Sequence, residues 1–467
     1  MKMVYNIDTT PRQIGIGKTI ICAIQQLLAI MAATLVVPVS VSTNAGLTGA
    51  DAMGIAPALF GAGCGTLTYI LFTRRKSPVF LGSSFAFIPS MVAAFAGATT
   101  VAVGYIGLIL GAIFAGLVYV VLSIIVKRSG TGWIDKIMPA TVIGPTVATI
   151  GLQLSGGAVG SLTTGPNVYI AILCGLVALF VAMLCTTYGK KNAKLIPFVI
   201  GILAGYAVAL VFTIIGYIAD IDSIKMIDFS VITALWDGGI SSSTFISDTA
   251  GLFVFVRALG GFADFNIGYI GTIIMAYVPV GFVVFAEHLA DHKNLSSIIE
   301  KDLLTDPGLH NTLLGDGIGS MVGAFFGGCP NTTYGESIAT VALTRNAAVW
   351  TIVFASLGAI ILSFFAPFVA FFNSIPTCVM GGICIALYGF IAVSGLKMIQ
   401  KVDLDSNRNI FVISVILVCG IGGLSISFAI GANIAITITN VACALILGVI
   451  TNKILAGEKA PSEEDNQ

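Results

Sequence analysis

The sequence predicts an all-α polytopic membrane protein of about fourteen transmembrane segments. Three observations carry this. Hydrophobic residues make up 57% of the 467 residues and charged residues only 9%, a balance foreign to soluble domains. Apolar runs, many near the roughly 20 residues that a membrane helix needs, recur along the whole chain. The basic residues fall between those runs in strict alternation. The formal net charge of zero carries no nucleic-acid signature.

The runs lie near 19–38, 51–73, 79–97, 101–126, 138–155, 167–188, 195–218, 267–290, 311–327, 331–344, 347–372, 376–396, 409–428 and 432–454. The first follows a polar N-terminus and lacks a small-residue cleavage site, so it reads as a span and not as a removed signal peptide. Lys2, Arg12 and Lys18 precede it; Arg74–Lys76 follow run 2, and Lys190, Lys191 and Lys194 follow run 6. With every span counted, all Lys and Arg except Lys225 and Arg257 lie on one side, which the positive-inside rule makes cytoplasmic, together with both termini. The nine cysteines show no paired spacing and read as small packing residues, not as a disulfide framework or zinc site. The segment 219–266 is a long outer loop. Its apolar piece TAGLFVFVRALGGF is too short to span and reads as interfacial or folded back.

Fourteen runs divide into seven and seven, and an odd number per half inverts the second half relative to the first. Inverted repeats are a common transporter plan, with the site at the midplane where interrupted helices meet. Runs 3 and 10 occupy corresponding positions and both look broken. Run 3 passes from an extended Ser77–Leu81 through Gly82-Ser83-Ser84 into helix formers. Run 10 begins Pro330-Asn331-Thr332-Thr333-Tyr334-Gly335-Glu336-Ser337. It would enter extended and turn helical midway, leaving free N–H groups at membrane depth beside Glu336.

Glu287 and Asp291 near the end of run 8 are i and i+4, on one helix face. Two carboxylates that close disfavour joint ionisation, which outlines a proton-coupling site. Ionisable residues inside a membrane are functional candidates by default. His288 points about 100° away from Glu287 and reads as a helix-contact residue, and His292 as a wet loop residue past the end of the run. Tyr388 either lines a cavity or packs in the bundle. There is no Lys or Arg in runs 3, 8 or 10, which argues against an anion carrier. No HExxH or GxSxG motif is present, so an intramembrane enzyme, if any, would have to be of the paired-carboxylate kind.

These stretches resemble the nucleobase–ascorbate (xanthine/uracil permease) transporter family, in its uracil-carrying branch. The similarity is carried by EKDLLTDPGLHN, FFGGCPNTTYGESIATVALTR, PVFLGSSFAFI, FAEHLADH and PTCVMGGICIALYGFIAVSG. It implies two inverted seven-span repeats, with spans 3 and 10 each a short β-strand followed by a half-helix. A core domain would comprise residues 1–136 and 267–374, and a gate domain residues 137–218 and 375–467, with 219–266 as the extracellular loop. The implied activity is symport of a nucleobase with a proton across the cytoplasmic membrane. Uracil is favoured, with xanthine or another oxo-purine as the alternative. No cofactor is implied beyond the proton as coupling ion, and a homodimer through the gate is expected. By position, Glu287 and Glu336 would bind the base, and the backbone at Phe85 and Gly335 would hydrogen-bond it. Ala33, Tyr334 and Tyr388 would line the pocket, and Asp291 with Glu287 would couple the proton. Gln26, Asp291, Ser337 and Ala339 depart from the family's usual His, His, Asn and Gly.

Overall fold

In the computed structural model the chain is mostly helical. The structure describes residues 3–133, 139–237, 239–240, 242–246, 253–429 and 435–457, so the Lys2, Lys136 and Lys459 of the charge pattern and the 136/137 boundary lie outside the described residues. Among these, eight helices are long and apolar enough to cross a membrane, and four further apolar helices of 10–17 residues are shorter.

The chain opens with α1 (Ile16–Ala45), α2 (Ile55–Phe72), β1 (Leu81–Ser83), α3 (Ile88–Ala96) and α4 (Val101–Ser129). Next come α5 (Ala140–Leu162), α6 (Val168–Tyr188) and α7 (Pro197–Ala219). A short α8 (Val254–Leu259) leads to α9 (Gly268–Ile299), α10 (Leu309–Gly327), β2 (Asn331–Thr333), α11 (Gly335–Thr344), α12 (Val349–Phe364) and α13 (Ala366–Asn373). The chain closes with α14 (Thr377–Ile399), α15 (Asn407–Ile421), β3 (Ile426–Ala429), β4 (Ala435–Ile438) and α16 (Asn440–Ile454).

Two groups of helices emerge from the packing. In one, α2 packs on α10 and α12, and α4 packs on α9 and α10. In the other, α14 packs on α5 and α6, and α15 packs on α5 and α16. Lipid gives helices no hydrophobic reason to associate, so close approach at small residues does the work. A Cβ at Gly61 would lie 2.3 Å from the Gly323 carbonyl oxygen, and one at Gly395 would lie 2.5 Å from that of Gly144. The first contact draws α2 against α10, and the second draws α5 against α14.

Several expectations change. Run 11 (347–372) is two helices, broken at the extended Phe365, where Pro367 can only start a new helix. Runs 13 and 14 are not continuous spans. Each holds a 15-residue helix, and their adjoining ends form the antiparallel pair β3–β4, favoured by the β-branched Ile426, Ile436, Thr437 and Ile438. Run 8 does not stop at 290: α9 continues to Ile299, so His292 is a buried helix residue and not a wet loop residue.

The described part of the segment 219–266 folds back on the helix ends. Arg257 in α8 donates to the carbonyl of Ala52 at 2.8 Å and of Ala50 at 2.6 Å, and also to the Tyr105 hydroxyl. Residues 247–252 of the loop lie outside the described residues.

Candidate functional site

The site is built on two short strands that cross at the middle of the fold. β1 and β2 pair antiparallel, with Leu81 opposite Thr333, Gly82 opposite Thr332 and Ser83 opposite Asn331. The Ser84 N–H to the Pro330 carbonyl (2.9 Å) and the Tyr334 N–H to the Phe80 carbonyl (3.3 Å) extend the ladder. Extended backbone at membrane depth must pair its polar groups with protein; here the two interrupted segments satisfy each other. Asn331 anchors the crossing. Its side-chain amide donates to the Gly61 carbonyl at 3.1 Å and fits between α2 and α10 because Gly65 and Gly323 have no side chain there.

Each strand runs into a helix start. Phe85–Phe87 form a 3-10 turn before α3, and Gly335 begins α11, which no side chain caps. The first N–H groups of such a turn have no intrahelical partner. The Tyr334 ring lies over Gly82, where an added Cβ would sit 2.3 Å from it, and the Tyr334 hydroxyl donates to the Ser83 carbonyl at 2.7 Å. Glycine at 82 is therefore the condition for tyrosine at 334. The Ser337 hydroxyl, one turn into α11, accepts from the Phe80 N–H at 3.0 Å and from the Gln26 side-chain amide of α1.

A cavity of about 380 Å³ opens in front of these helix starts, between the two helix groups. Glu287 and Asp291 of α9 line it together with Phe85, Tyr334, Gly335 and Glu336. The opposite wall is apolar and comes from α5, α7 and α14, with Val147, Ile150, Phe198, Leu387 and Phe390. Asp291 accepts from the Thr333 hydroxyl at 2.7 Å, which ties the end of β2 to α9. Three carboxylates thus face one cavity, and no Lys, Arg or His lines it among the described residues. Aromatic faces and free helix N–H groups complete a surface suited to a small, flat, uncharged molecule carrying both N–H donors and carbonyl acceptors.

Two expected residues do not line this cavity. Tyr388 stands behind it: its hydroxyl meets that of Ser40 at 2.6 Å, and its ring meets Phe85 edge-on at 6.0 Å. Ala33 is fully buried in α1.

One carboxylate was missed in the sequence reading. Asp316 of α10 is buried, and its Oδ2 lies 2.6 Å from His288 Nδ1. His288 Nε2 lies 3.0 Å from the Thr312 hydroxyl, which gives His288 the helix-contact role expected of it. His292 stacks on the His288 ring at 4.0 Å, and its Nε2 lies 2.7 Å from the Tyr69 hydroxyl. An ionisable residue inside run 9 was the available signal for Asp316.

Comparison with known proteins gives the family and the fold. The model of the permease family, that of the xanthine/uracil permeases, matches residues 17–428. A uracil permease of Bacillus caldolyticus is 35% identical over 474 residues, covering 100% of this chain and 98% of the relative. The uracil permease of Bacillus subtilis (strain 168) is 33% identical, covering 95% and 94%. That of Escherichia coli (strain K12) is 32% identical, covering 94% and 93%. Among solved structures, the transmembrane domain of the cyanobacterial bicarbonate transporter BicA matches with a TM-score of 0.54 at 14% identity, over 92% of this chain and 96% of that one. The murine anion transporter Slc26a9 in its inward-facing state matches with a TM-score of 0.58 at 12% identity, over 94% and 68%. At such identities the likeness is one of fold. The relatives by sequence are named permeases, not enzymes. The chain is a multi-pass membrane protein and belongs to the xanthine/uracil permease family.

Proposed function

We propose that this chain is a proton-coupled symporter that imports uracil across the cytoplasmic membrane, with both termini on the cytoplasmic side. The observation that carries the reading is the cavity where Glu287, Asp291 and Glu336 meet the uncapped start of α11. Uracil presents ring N–H donors and two carbonyl acceptors. Carboxylates accept from the former, and half-helix N–H groups at Gly335 and Phe85 donate to the latter. Glu287 and Glu336 hold the base, and Tyr334 covers it. The Glu287–Asp291 pair takes up the proton on the outer side and releases it within. Ala33 and Tyr388 act from behind the wall, Tyr388 by holding Phe85. Relatives named uracil permease, aligned over nearly the whole chain, support uracil as the substrate.

Alternating access follows from where the cavity lies. The strand crossing and its carboxylates belong to a core of α1–α4 and α9–α13, and the apolar wall to a gate of α5–α7 and α14–α16. Movement of the core against the gate exposes the site to one side and then the other. The gate also supplies the surface for a homodimer.

The test is uptake of labelled uracil at two external pH values, in cells lacking their own permease, with unlabelled xanthine as competitor. Faster uptake at low pH, blocked by uracil and not by xanthine, is the expected result. Xanthine competition with poor uracil uptake would assign the protein to oxo-purines instead, with Asp291 as the first residue to examine.

A further inference from the structure

Behind the substrate cavity lies a second, much smaller chamber of about 10 Å³, and Thr332 of β2 lines both. Its walls come from α4, α9, α10 and β2 and include Tyr119, Asp316 and Asn331. The Tyr119 hydroxyl, Asp316 Oδ1 and Asn331 Oδ1 are buried and have no hydrogen-bond partner among the described residues. The three side chains are 4%, 1% and 1% exposed. A buried polar atom without a partner is costly, and three around one chamber make it a site awaiting an occupant.

We propose that this chamber holds a single water, which links the His288–Asp316 pair to Asn331 and so positions β2 and the Tyr334–Glu336 segment after it. The volume is that of one water, which needs roughly 10–15 Å³ and two to four polar partners. The donor balance also fits. The two carbonyl-type oxygens of Asp316 and Asn331 accept the two water protons, and the Tyr119 hydroxyl donates to the water oxygen. Asp316 already faces His288 at 2.6 Å through its other oxygen, so the chamber does not call for a metal cation to balance it. Asn331 is the residue through which the water acts. Its backbone N–H donates to Ser320 at 3.0 Å, its amide nitrogen donates to Gly61, and its side-chain oxygen is left buried without a partner among the described residues.

The positioning role rests on the uracil reading; the water site does not. The experiment is a density map of the full chain in sodium-free buffer, at a resolution that shows ordered waters. One peak within hydrogen-bond distance of all three side chains is expected, and an empty chamber overturns the proposal. Exchanging choline for sodium at constant ionic strength is expected to leave the melting temperature unchanged. A rise in sodium that Asp316→Asn abolishes would make the chamber a cation site and overturn it. In reconstituted vesicles Tyr119→Phe is expected to raise the KM for uracil about threefold to tenfold, the equivalent of one lost hydrogen bond, with maximal rate and melting temperature close to wild type. An unchanged KM overturns the positioning role. The map and the melting data use no uracil, so a failure of the substrate assignment is separable from a failure of the water site.

Discussion

Gln26 of α1 donates its side-chain amide to Ser337 of α11, to the hydroxyl and, at 3.2 Å, to the backbone carbonyl. The structure brings these two positions into contact across 311 residues of chain. The Ser337 hydroxyl also takes the N–H of Phe80, so one oxygen joins the first span, the entry to β1 and the start of α11.

Ser337→Ala is accordingly expected to destabilise the protein. It leaves the buried Phe80 N–H without its acceptor and removes the Gln26 contact to the hydroxyl. The cost is about 1–3 kcal/mol for a stranded buried donor. A lower melting temperature in detergent, with uracil binding weakened in parallel, would show it; an unchanged melting temperature would contradict it.

Glu336→Gln is expected to weaken uracil binding about tenfold to a hundredfold, the range for losing a hydrogen bond to a charged group, while the fold persists. Isothermal titration or scintillation proximity binding reads this directly. Wild-type affinity would remove Glu336 from the site.

Asp291→Asn keeps the size of the side chain and a hydrogen-bond acceptor for Thr333 but cannot take up a proton. Uracil exchange across vesicles carrying uracil on both sides is expected to continue. Accumulation driven by a pH gradient is expected to be lost. Equal loss of both would make Asp291 a binding residue rather than a coupling one.

Gly82→Ala places a methyl where the Tyr334 ring lies, 2.3 Å away. The ring must move, breaking its bond to Ser83 and disturbing the wall of the cavity. A loss of about 1–3 kcal/mol of stability is expected, together with weaker uracil binding. Combining Gly82→Ala with Tyr334→Ala, which makes room, should cost less stability than the sum of the two single changes, with binding still weakened; additive costs would contradict the clash.

Between the end of α2 and the start of α10, Lys76 donates to Asp306 at 2.6 Å, and this bond holds the Asp306 carboxyl below its ordinary value. A depressed folded-state value means that the contribution to stability is present above the unfolded value, roughly pH 4, and is lost as pH falls from there through the folded value. The two side chains are 38% and 48% exposed, so the effect is small and screened by salt. Lys76→Gln should lower the melting temperature slightly at pH 7, and the difference should vanish on acidification below about pH 4. A difference that persists in acid would point to packing instead.

Much of the site was legible because its signals are local. The extended start Pro330–Thr333 followed by Gly335, and the Gly-Ser-Ser of run 3, marked both helix breaks. Glu287 and Asp291 announced themselves by their i, i+4 spacing. The misses have physical causes. His292 looked wet because the polar sequence after it ends the apolar run, yet Tyr69 and Ser77 of the neighbouring segment cover it. Asp316 sits among glycines and has no partner on its own helix; His288, its partner, lies 28 residues back. Runs 13 and 14 read as spans because alternating Ile and Thr in 435–438 are as apolar in a strand as in a helix, and only pairing with Ile426–Ala429 decides between them.

By itself the sequence determined the membrane class, the places where the backbone breaks and the carboxylates one turn apart on α9. These follow from composition and from the helical repeat, which act over a few residues. Only the tertiary structure decided that Glu336 shares a cavity with Glu287, that Gln26 meets Ser337 and that Asp316 meets His288. Those pairs are far apart along the chain, and their meeting depends on how closely glycine-lined helices pack and on the register of two three-residue strands. No local periodicity encodes either of these.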